Sequence, residues 1–299
     1  MLVGANNEVQ VGSTPEHCVV FNDLTADEVK WLRSMATANI GVGARGPAML
    51  SERQEEALAL LDAVGLLDPG QDPTSTLSVQ LTGLGAVGTQ VALALARIPV
   101  RRLECRDDRP LSGSDGPLFG AASLGARRAS VVRAMVDEIA PRACTGKISV
   151  PDVAVICSER QADHEAAGFM LSQDTPHLVV TSDDRVVSVG PVVIPGVTPC
   201  ALCCELNEQQ ASPRPGDPLL LRAAVRTAAP PLVRNHLATA AAGMTVGLVR
   251  QLASGAVSPG RVLRMTEGTV TTVEHDFNDR CGCAGLAKPA TSDQGRAAA

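Results

Sequence analysis

The stretch from residue 78 to residue 108 constrains the fold more than any other part of the sequence. A short apolar run leads into the motif Gly83-Leu-Gly-Ala-Val-Gly88, a helical pattern follows, and a second strand candidate covers residues 100–105. Asp107 and Asp108 close that strand, near the spacing of about 20 residues at which an acid that binds a ribose follows such a motif. The order of strand, glycine turn, helix, strand and acid predicts a β-α-β unit of the nucleotide-binding type.

Each glycine of the motif has a physical role in this interpretation. Gly83 would let the chain turn tightly, Gly85 would let backbone N–H groups approach a phosphate, and Gly88 would let helix and strand pack closely. The helix N-terminus offers unpaired N–H groups and the positive end of its dipole to an anion. The alternative is a turn that only packs a helix on a sheet, in which case the fold would survive without a ligand.

Composition excludes several classes of function. The 299 residues are 45% hydrophobic, which is typical of a globular protein. Aromatic residues make up only 2% and the net charge is −6, so the stacking platforms and the basic face of a nucleic-acid binder are lacking. The N-terminus has no signal-peptide pattern, and Arg234 and His236 interrupt the most apolar stretch, residues 232–249. We therefore expect a cytoplasmic protein without nucleic-acid or membrane partners.

The sequence pattern divides the chain into three parts. These are a small N-terminal module over residues 1–75, a main domain over residues 76–285 and a disordered tail over residues 286–299. In the small module two short strands precede helices capped by Thr25 and Ser51, which is typical of a winged-helix-like or other small α/β module.

Strands and helices alternate along the main domain. This alternation predicts a Rossmann-like, mostly parallel sheet with helices on both faces. The polar residues 207–218 would form either a mobile loop over the site or only a connection. The sequence predicts helices over 127–139, 159–171 and 232–253, strands over 148–150, 153–157, 177–181 and 186–194 (the last as one strand or as a pair broken at Gly190), and a hairpin over 261–274.

Two close cysteine pairs lie in the second half of the chain. Two residues separate Cys200 from Cys203, and one residue separates Cys281 from Cys283. In a cytosolic chain such pairs indicate a metal before disulfides. Four thiolates would complete a closed, tetrahedral and structural Zn²⁺ site, which would clip the C-terminal hairpin to the sheet. The alternatives are buried free thiols, or a redox pair formed by Cys203 and Cys204.

The remaining cysteine and histidine candidates give weaker signals. Cys204 is expected to be a core residue rather than a fifth ligand. None of the five histidines belongs to a cluster with metal-ligand spacing. His275 precedes Cys281 closely enough to be a spare ligand, although a surface position on the hairpin is the more common arrangement.

The sequence resembles the ThiF/MoeB family, which is similar to the ubiquitin-activating enzymes. The shared features are the glycine motif, the strand that ends in two acids, the Gly125-Ala-Arg-Arg128 turn before a helix, and the late cysteine pair. The segment GPVVIPGVTPCALCCEL (190–206) resembles ThiF-like proteins found beside ribosomal-peptide modification clusters. The resemblance covers residues 78–284 well and the first 75 residues loosely.

The resemblance implies an enzyme that adenylates the C-terminal carboxylate of a peptide or small carrier protein with ATP and Mg²⁺. The three glycines of the motif would hold phosphate, and Asp107 and Asp108 would bind ribose and Mg²⁺. Arg127 or Arg128 would replace the family lysine as the catalytic cation. Homodimers are common in the family.

The sequence also departs from the family pattern. The Asn-Leu-x-Arg-Gln stretch after the acids is replaced by residues 112–119, and the aspartate expected near Cys157-Ser158 is absent, with Glu159 as the nearest acid. These departures favour the alternative function, a catalytically degenerate scaffold. Its N-terminal module would bind a precursor leader peptide, by adding a strand to a sheet edge, for a partner modifying enzyme. A redox or NAD-binding protein would share the glycine turn, but the cysteine pairs argue against it.

Overall fold

The computed structural model describes residues 2–4, 8–38, 50–67, 72–115, 119, 123–141, 143, 146–211 and 231–286. The chain divides into two compact units, Met1–Asp72 and Pro73–Ala299. The predicted tail beyond Leu286 and the polar residues 212–218 lie outside the described residues, whereas residues 207–211 are helical. None of the described helices combines the length and apolar character needed to cross a bilayer.

The described part of the first unit contains an antiparallel sheet followed by two helices. The strands pair in sequence order, so that the middle strand has a partner on each side. A small core of Val9, Leu32 and Leu61 lies between the sheet and the helices. The winged-helix-like character of this unit stays a prediction. The elements are β1 (Leu2–Val3), β2 (Val9–Thr14), β3 (His17–Phe21), α1 (Ala26–Ala38) and α2 (Glu52–Ala63).

Both helices of the first unit begin at the predicted caps. The N–H of Glu28 donates to Thr25 Oγ1 over 3.3 Å, and the N–H of Thr25 donates to the Glu28 carboxylate over 2.7 Å. Ser51 and Gln54 make the same reciprocal pair at the start of α2. Such capping boxes satisfy N–H groups that the first turn of a helix leaves without partners.

The described part of the second unit is a mixed α/β domain built on one seven-stranded sheet with the strand order β10-β9-β8-β7-β6-β4-β5. Strands β5, β4, β6 and β7 are parallel, and β8, β9 and β10 extend the sheet in antiparallel pairings. The predicted mixed α/β fold with a mostly parallel central sheet is confirmed. The elements are β4 (Ser78–Thr82), α3 (Ala86–Leu95), β5 (Arg102–Arg106), α4 (Arg128–Ile139), β6 (Val153–Glu159), α5 (His164–Ser172), β7 (His177–Ser182), β8 (Val187–Val193), α6 (Ala201–Ala211), α7 (Asn235–Ala253), β9 (Arg261–Thr266) and β10 (Thr269–Glu274).

Helices cover both faces of the sheet, as the alternation of side chains along β6 shows. Val155 and Cys157 belong to the core formed with α3, α4 and α7. Ala154 and Ile156 point the other way, into the core formed with α5 and α6. Successive residues of a strand face opposite sides, so a strand buried on both faces is apolar throughout.

Two of the predicted elements were wrong in position or kind. The helix predicted from Glu159 begins only at His164, because β6 continues through Glu159 and the Asp163 carboxylate caps the helix by accepting from the N–H of Ala166 over 3.0 Å. Residues 148–150 form no strand. Of the two alternatives for residues 186–194, one strand or a pair broken at Gly190, the single strand is the one that forms, as β8.

Candidate functional site

The glycine motif forms the turn between β4 and α3, at the carboxyl edge of the parallel strands. Gly83 has a φ of 82°, and a Cβ atom there would collide with the carbonyl oxygen of Cys157. A Cβ atom on Gly88 would collide with the carbonyl oxygen of Gly83, so α3 packs directly on the turn. Gly85 is the N-cap of α3 and contributes no side-chain cap, which leaves the start of the helix open to another partner.

Charged side chains from three segments meet beside this turn. We call Asp107, Arg109, Asp115, Arg128 and Glu159 the arginine–carboxylate cluster. Arg109 bonds to Asp107 through Nε and NH2, at 3.1 and 3.0 Å, and to Glu159 through NH1, at 3.2 Å. Arg128 contacts Asp115, Asp107 (3.4 Å) and Glu159 (3.7 Å). The cluster carries three carboxylates and two guanidinium groups.

Asp107 ties the cluster to the glycine turn. Its carboxylate also accepts from the backbone N–H of Leu84 over 2.8 Å, and its side chain is only 4% exposed. Burial alone would raise the pKa of Asp107, but hydrogen bonds from Arg109 and Leu84 hold that pKa below its ordinary value. The carboxylate is therefore ionised and occupied by protein donors, which suits a structural role better than direct contact with a ribose.

The predicted cations and acids separate into an inner and an outer set. Arg128 is 3% exposed at the start of α4, and its buried Nε has no partner within the described residues. Arg127 and Asp108 instead point to solvent, with exposures of 73% and 99%, and lie 3.8 Å apart. Exposed pairs of this kind contribute little to stability.

A shallow cleft lies against the glycine turn. Arg109, Ser158, Glu159 and Ser182 complete its walls. Ser158 Oγ is buried and has no hydrogen-bond partner among the described residues. An unsatisfied hydroxyl beside a glycine turn fits a polar, phosphate-bearing ligand.

A second polar group of the same unit is a cluster of four thiols, which we call the cysteine cluster. Cys200 and Cys203 lie on or beside the start of α6, and Cys281 and Cys283 follow β10. Among the described residues, these four Sγ atoms lie within 4.8 Å of one another. The Cys200–Cys281 and Cys203–Cys283 pairs are each separated by 3.3 Å. The cluster thus joins α6 to the segment after the C-terminal hairpin.

The geometry of the cysteine cluster fits a tetrahedral metal ion. Zn–S bonds of about 2.3 Å place thiolates about 3.8 Å apart in a tetrahedron, close to the separations between these sulfur atoms. Burial raises the pKa of Cys283 to about 11. For Cys203 burial acts in the same direction, but hydrogen bonds, first among them the one from the N–H of Asn278, lower the pKa.

The other candidate thiols and His275 are buried outside the cysteine cluster. Burial raises the pKa of Cys157 and of Cys204 to about 12 in each case, as is typical of unreactive core thiols. The surface position expected for His275 was wrong, because this residue is 9% exposed. Its ring lies 3.4 Å from the Glu208 carboxylate, away from the four cysteines.

Sequence reasoning missed part of the charged site. The structure brings Gly83, Gly85, Gly88, Asp107 and Arg128 together, but it adds Arg109, Asp115 and the cleft hydroxyl of Ser158. Arg109 follows Asp107 by two residues in the sequence, and this short spacing could have indicated that the two side chains pair. Asp115 lies in the segment where the family pattern is lost, so no motif pointed to it.

Fold and site together define a Rossmann-like α/β protein with a glycine turn and a four-thiol cluster able to hold a metal ion. No family model and no curated protein matches the sequence. The fold is similar to that of the microcin C7 biosynthetic enzyme MccB in complex with N-formylated MccA, with a TM-score of 0.62 at 13% identity over 88% of this chain and 83% of that chain.

Two further solved structures support the same conclusion about the fold. E. coli MccB with ATP gives a TM-score of 0.60 at 14% identity, covering 88% of this chain and 83% of that chain. PaaA gives 0.58 at 14% identity, covering 92% of this chain and 97% of that chain. At such identities the likeness establishes the fold alone.

Proposed function

We propose that this chain is a ThiF/MoeB-like protein that uses ATP and Mg²⁺ to adenylate the C-terminal carboxylate of a peptide or small carrier protein. The observation that carries the proposal is the glycine turn at the start of α3, which has no side-chain cap hydrogen bond and is flanked by the guanidinium groups of Arg109 and Arg128. MccB, which has a similar fold, has been solved with ATP and with the peptide MccA, and this likeness supports a peptide substrate here.

The reaction requires binding and electrostatic stabilisation more than proton transfer. A carboxylate oxygen of the peptide attacks the α-phosphorus of ATP. The bond between that phosphorus and the bridging oxygen of pyrophosphate breaks, and pyrophosphate leaves with the electron pair of that bond. The glycine turn and Ser158 Oγ would hold phosphate oxygens, and Arg128 would offset the charge that develops on them. Asp108 and Glu159 are the accessible carboxylates, which Mg²⁺ prefers as ligands.

We infer that the cysteine cluster holds a structural Zn²⁺ ion. Four thiolates around one point are the donor set of closed zinc sites, and such sites contribute to folding rather than to chemistry. In the proposal the ion holds the segment after β10 against α6 and takes no part in adenylation.

Calorimetric titration of the zinc-loaded full chain with MgATP tests the proposed function. Ser158→Ala is the informative variant, because its hydroxyl has no partner to lose within the described part of the chain and the fold should be unaffected. We expect binding by the wild type and roughly three- to tenfold weaker binding by Ser158→Ala, the value of one hydrogen bond. Ser149→Ala, at an exposed position outside the cleft, should match the wild type. Pyrophosphate exchange with candidate peptides would then test adenylation itself.

A degenerate scaffold that binds a leader peptide is the second candidate function. The lost family motif favours it, and so does the edge of the first unit's sheet, where β3 pairs only with β2 among the described strands. An extended leader peptide would bind as a fourth strand beside β3, and the scaffold would present the precursor to a partner modifying enzyme. A folded, zinc-loaded protein that binds precursor peptides but not MgATP would favour this function over adenylation.

A further inference from the structure

The Glu159 carboxylate stands where an anion would bind. It lies against Gly85 so closely that a Cβ atom on that glycine would collide with Oε1. The same oxygen is 3.7 Å from Arg128 NH1, and Oε2 accepts from Arg109 NH1 over 3.2 Å. A helix N-terminus flanked by two guanidinium groups is a typical anion site, and here the anion is supplied by the chain itself.

Arg109 is held so that one nitrogen is directed at this position. Its Nε and NH2 groups are bound to the two oxygens of Asp107, and its own backbone N–H donates to Asp107 Oδ1 over 3.0 Å. Only NH1 remains for Glu159. The side chain is 52% exposed, whereas that of Arg128 is 3% exposed, so Arg109 is the guanidinium that a ligand arriving from solvent can contact.

We propose that Glu159 occupies the position of a nucleotide phosphate, and that Arg109, held by Asp107, transfers its NH1 group from Glu159 to that phosphate when ATP binds. Two anions cannot share this position without strong repulsion, so the carboxylate must leave as the phosphate enters. Asp107 then acts as a positioning residue for Arg109. This inference rests on the proposed function, and it makes Arg109 a phosphate-binding residue outside the glycine motif.

Calorimetric titration with ATP in Mg²⁺-free buffer tests whether phosphate replaces the Glu159 carboxylate. Without Mg²⁺ the negative charge of the phosphates is not neutralised, so the repulsion between Glu159 and ATP is strongest. Glu159→Gln keeps the shape and removes the charge, so we expect ATP to bind about tenfold more tightly than to the wild type. Arg109→Gln should bind about tenfold more weakly. Inorganic pyrophosphate should show the same two changes, whereas adenosine should show neither.

The exposed pair Arg234–Glu267 supplies matched controls. Its atoms are 3.0 Å apart and its side chains are 63% and 64% exposed. Glu267 lies at the turn between β9 and β10, Arg234 is the N-cap residue of α7, and neither residue lines the cleft. Arg234→Gln and Glu267→Gln repeat the same charge changes and should leave ATP affinity unchanged. Asp107→Asn should weaken binding by itself and have a smaller effect in the Arg109→Gln background, because a positioning residue acts in part through the group that it positions. The bond of Asp107 to the Leu84 N–H accounts for the effect that remains.

The possible results separate this inference from the proposed function. Binding of ATP by the wild type that is unchanged or weaker in Glu159→Gln would reject the exchange and leave the proposed function standing. Additive effects of Asp107→Asn and Arg109→Gln would reject the positioning role. If neither the wild type nor any variant binds ATP, with or without Mg²⁺, the proposed function and the inference both fail.

Discussion

The arginine–carboxylate cluster and the cysteine cluster are both buried polar groups of the second unit, but only the first contains its own counter-charges. The guanidinium group of Arg128 contacts the carboxylates of Asp107 and Asp115, and Asp107 also accepts a hydrogen bond from a backbone N–H group. In the cysteine cluster all four groups are of one chemical type. As thiolates they would repel one another, and as thiols they have no strong acceptor.

This difference shows which site can exist before its ligand arrives. The carboxylates of the arginine–carboxylate cluster are paired with guanidinium groups of the same chain, although Arg128 Nε has no partner among the described residues, so a ligand there must compete with internal bonds. The cysteine cluster is complementary to a cation, so the proposed zinc ion would contribute to the stability of the folded state. Removing one member should therefore have different consequences at the two sites.

The largest expected effect is that of Cys203→Ser. Loss of one ligand should remove zinc and destabilise the second unit by about 4 kcal/mol, which corresponds to a fall in Tm of about 10 °C for a domain of this size. Metal content by mass spectrometry and Tm by calorimetry measure both effects. Cys204→Ser alters the adjacent buried thiol outside the cluster and should keep the metal. Equal zinc content in the two variants would contradict the assignment.

Arg128→Met should have the next largest effect. The substitution leaves the buried carboxylates of Asp107 and Asp115 without their guanidinium, and breaking such a buried pair costs about 3 kcal/mol or more. Arg127→Met, at the neighbouring exposed position, should change stability by less than about 0.5 kcal/mol. Urea denaturation compares the two variants.

A double variant sharpens the prediction for Arg128. Asp115→Asn added to Arg128→Met removes one of the orphaned charges and should recover part of the lost stability. If the two changes are additive, Arg128 and Asp115 are not coupled, and the cluster would be a set of independent contacts.

The sequence predicted those parts of the two sites that depend on local geometry. A glycine at positive φ and a helix packed on a turn are needed wherever the β-α-β unit forms, so Gly83 and Gly88 could be assigned from the motif. Paired cysteines can be recognised from their spacing in the sequence, because residues two or three positions apart in the chain can bind one ion.

The charged site could not be predicted because it depends on where three distant segments meet. Glu159 was expected to begin a helix, but its pairing with Ser182 extends β6 and brings the carboxylate to the glycine turn. Asp107 matched a motif for a ribose ligand, yet Arg109 folds back onto it and occupies both of its oxygens. The position of Glu159 follows from strand register, which spacing along the chain does not reveal.

The smallest expected effect is that of acidification. As the pH falls, the cysteine cluster should lose its metal first, and Asp107 should be protonated at a lower pH. Protons compete with zinc for thiolates, so the metal should leave well above pH 4. The pKa of Asp107 lies below its unfolded value of about 3.9, because hydrogen bonds from Arg109 and Leu84 outweigh the effect of burial. The stability contributed by this ionised carboxylate is therefore fully present above about pH 4 and is lost as the pH falls through the folded-state pKa.

Asp107→Asn isolates that contribution from zinc release, since both proteins lose the metal over the same pH range. The variant should be less stable than the wild type by about 2 kcal/mol at pH 7 and at pH 5, and the difference should shrink below pH 4. Asp108→Asn, with its side chain 99% exposed, should follow the wild type at every pH. A difference that already shrinks between pH 7 and pH 5, in step with zinc release, would mean that the two clusters stabilise each other. The contrast between a self-sufficient site and a metal-dependent one would then no longer hold.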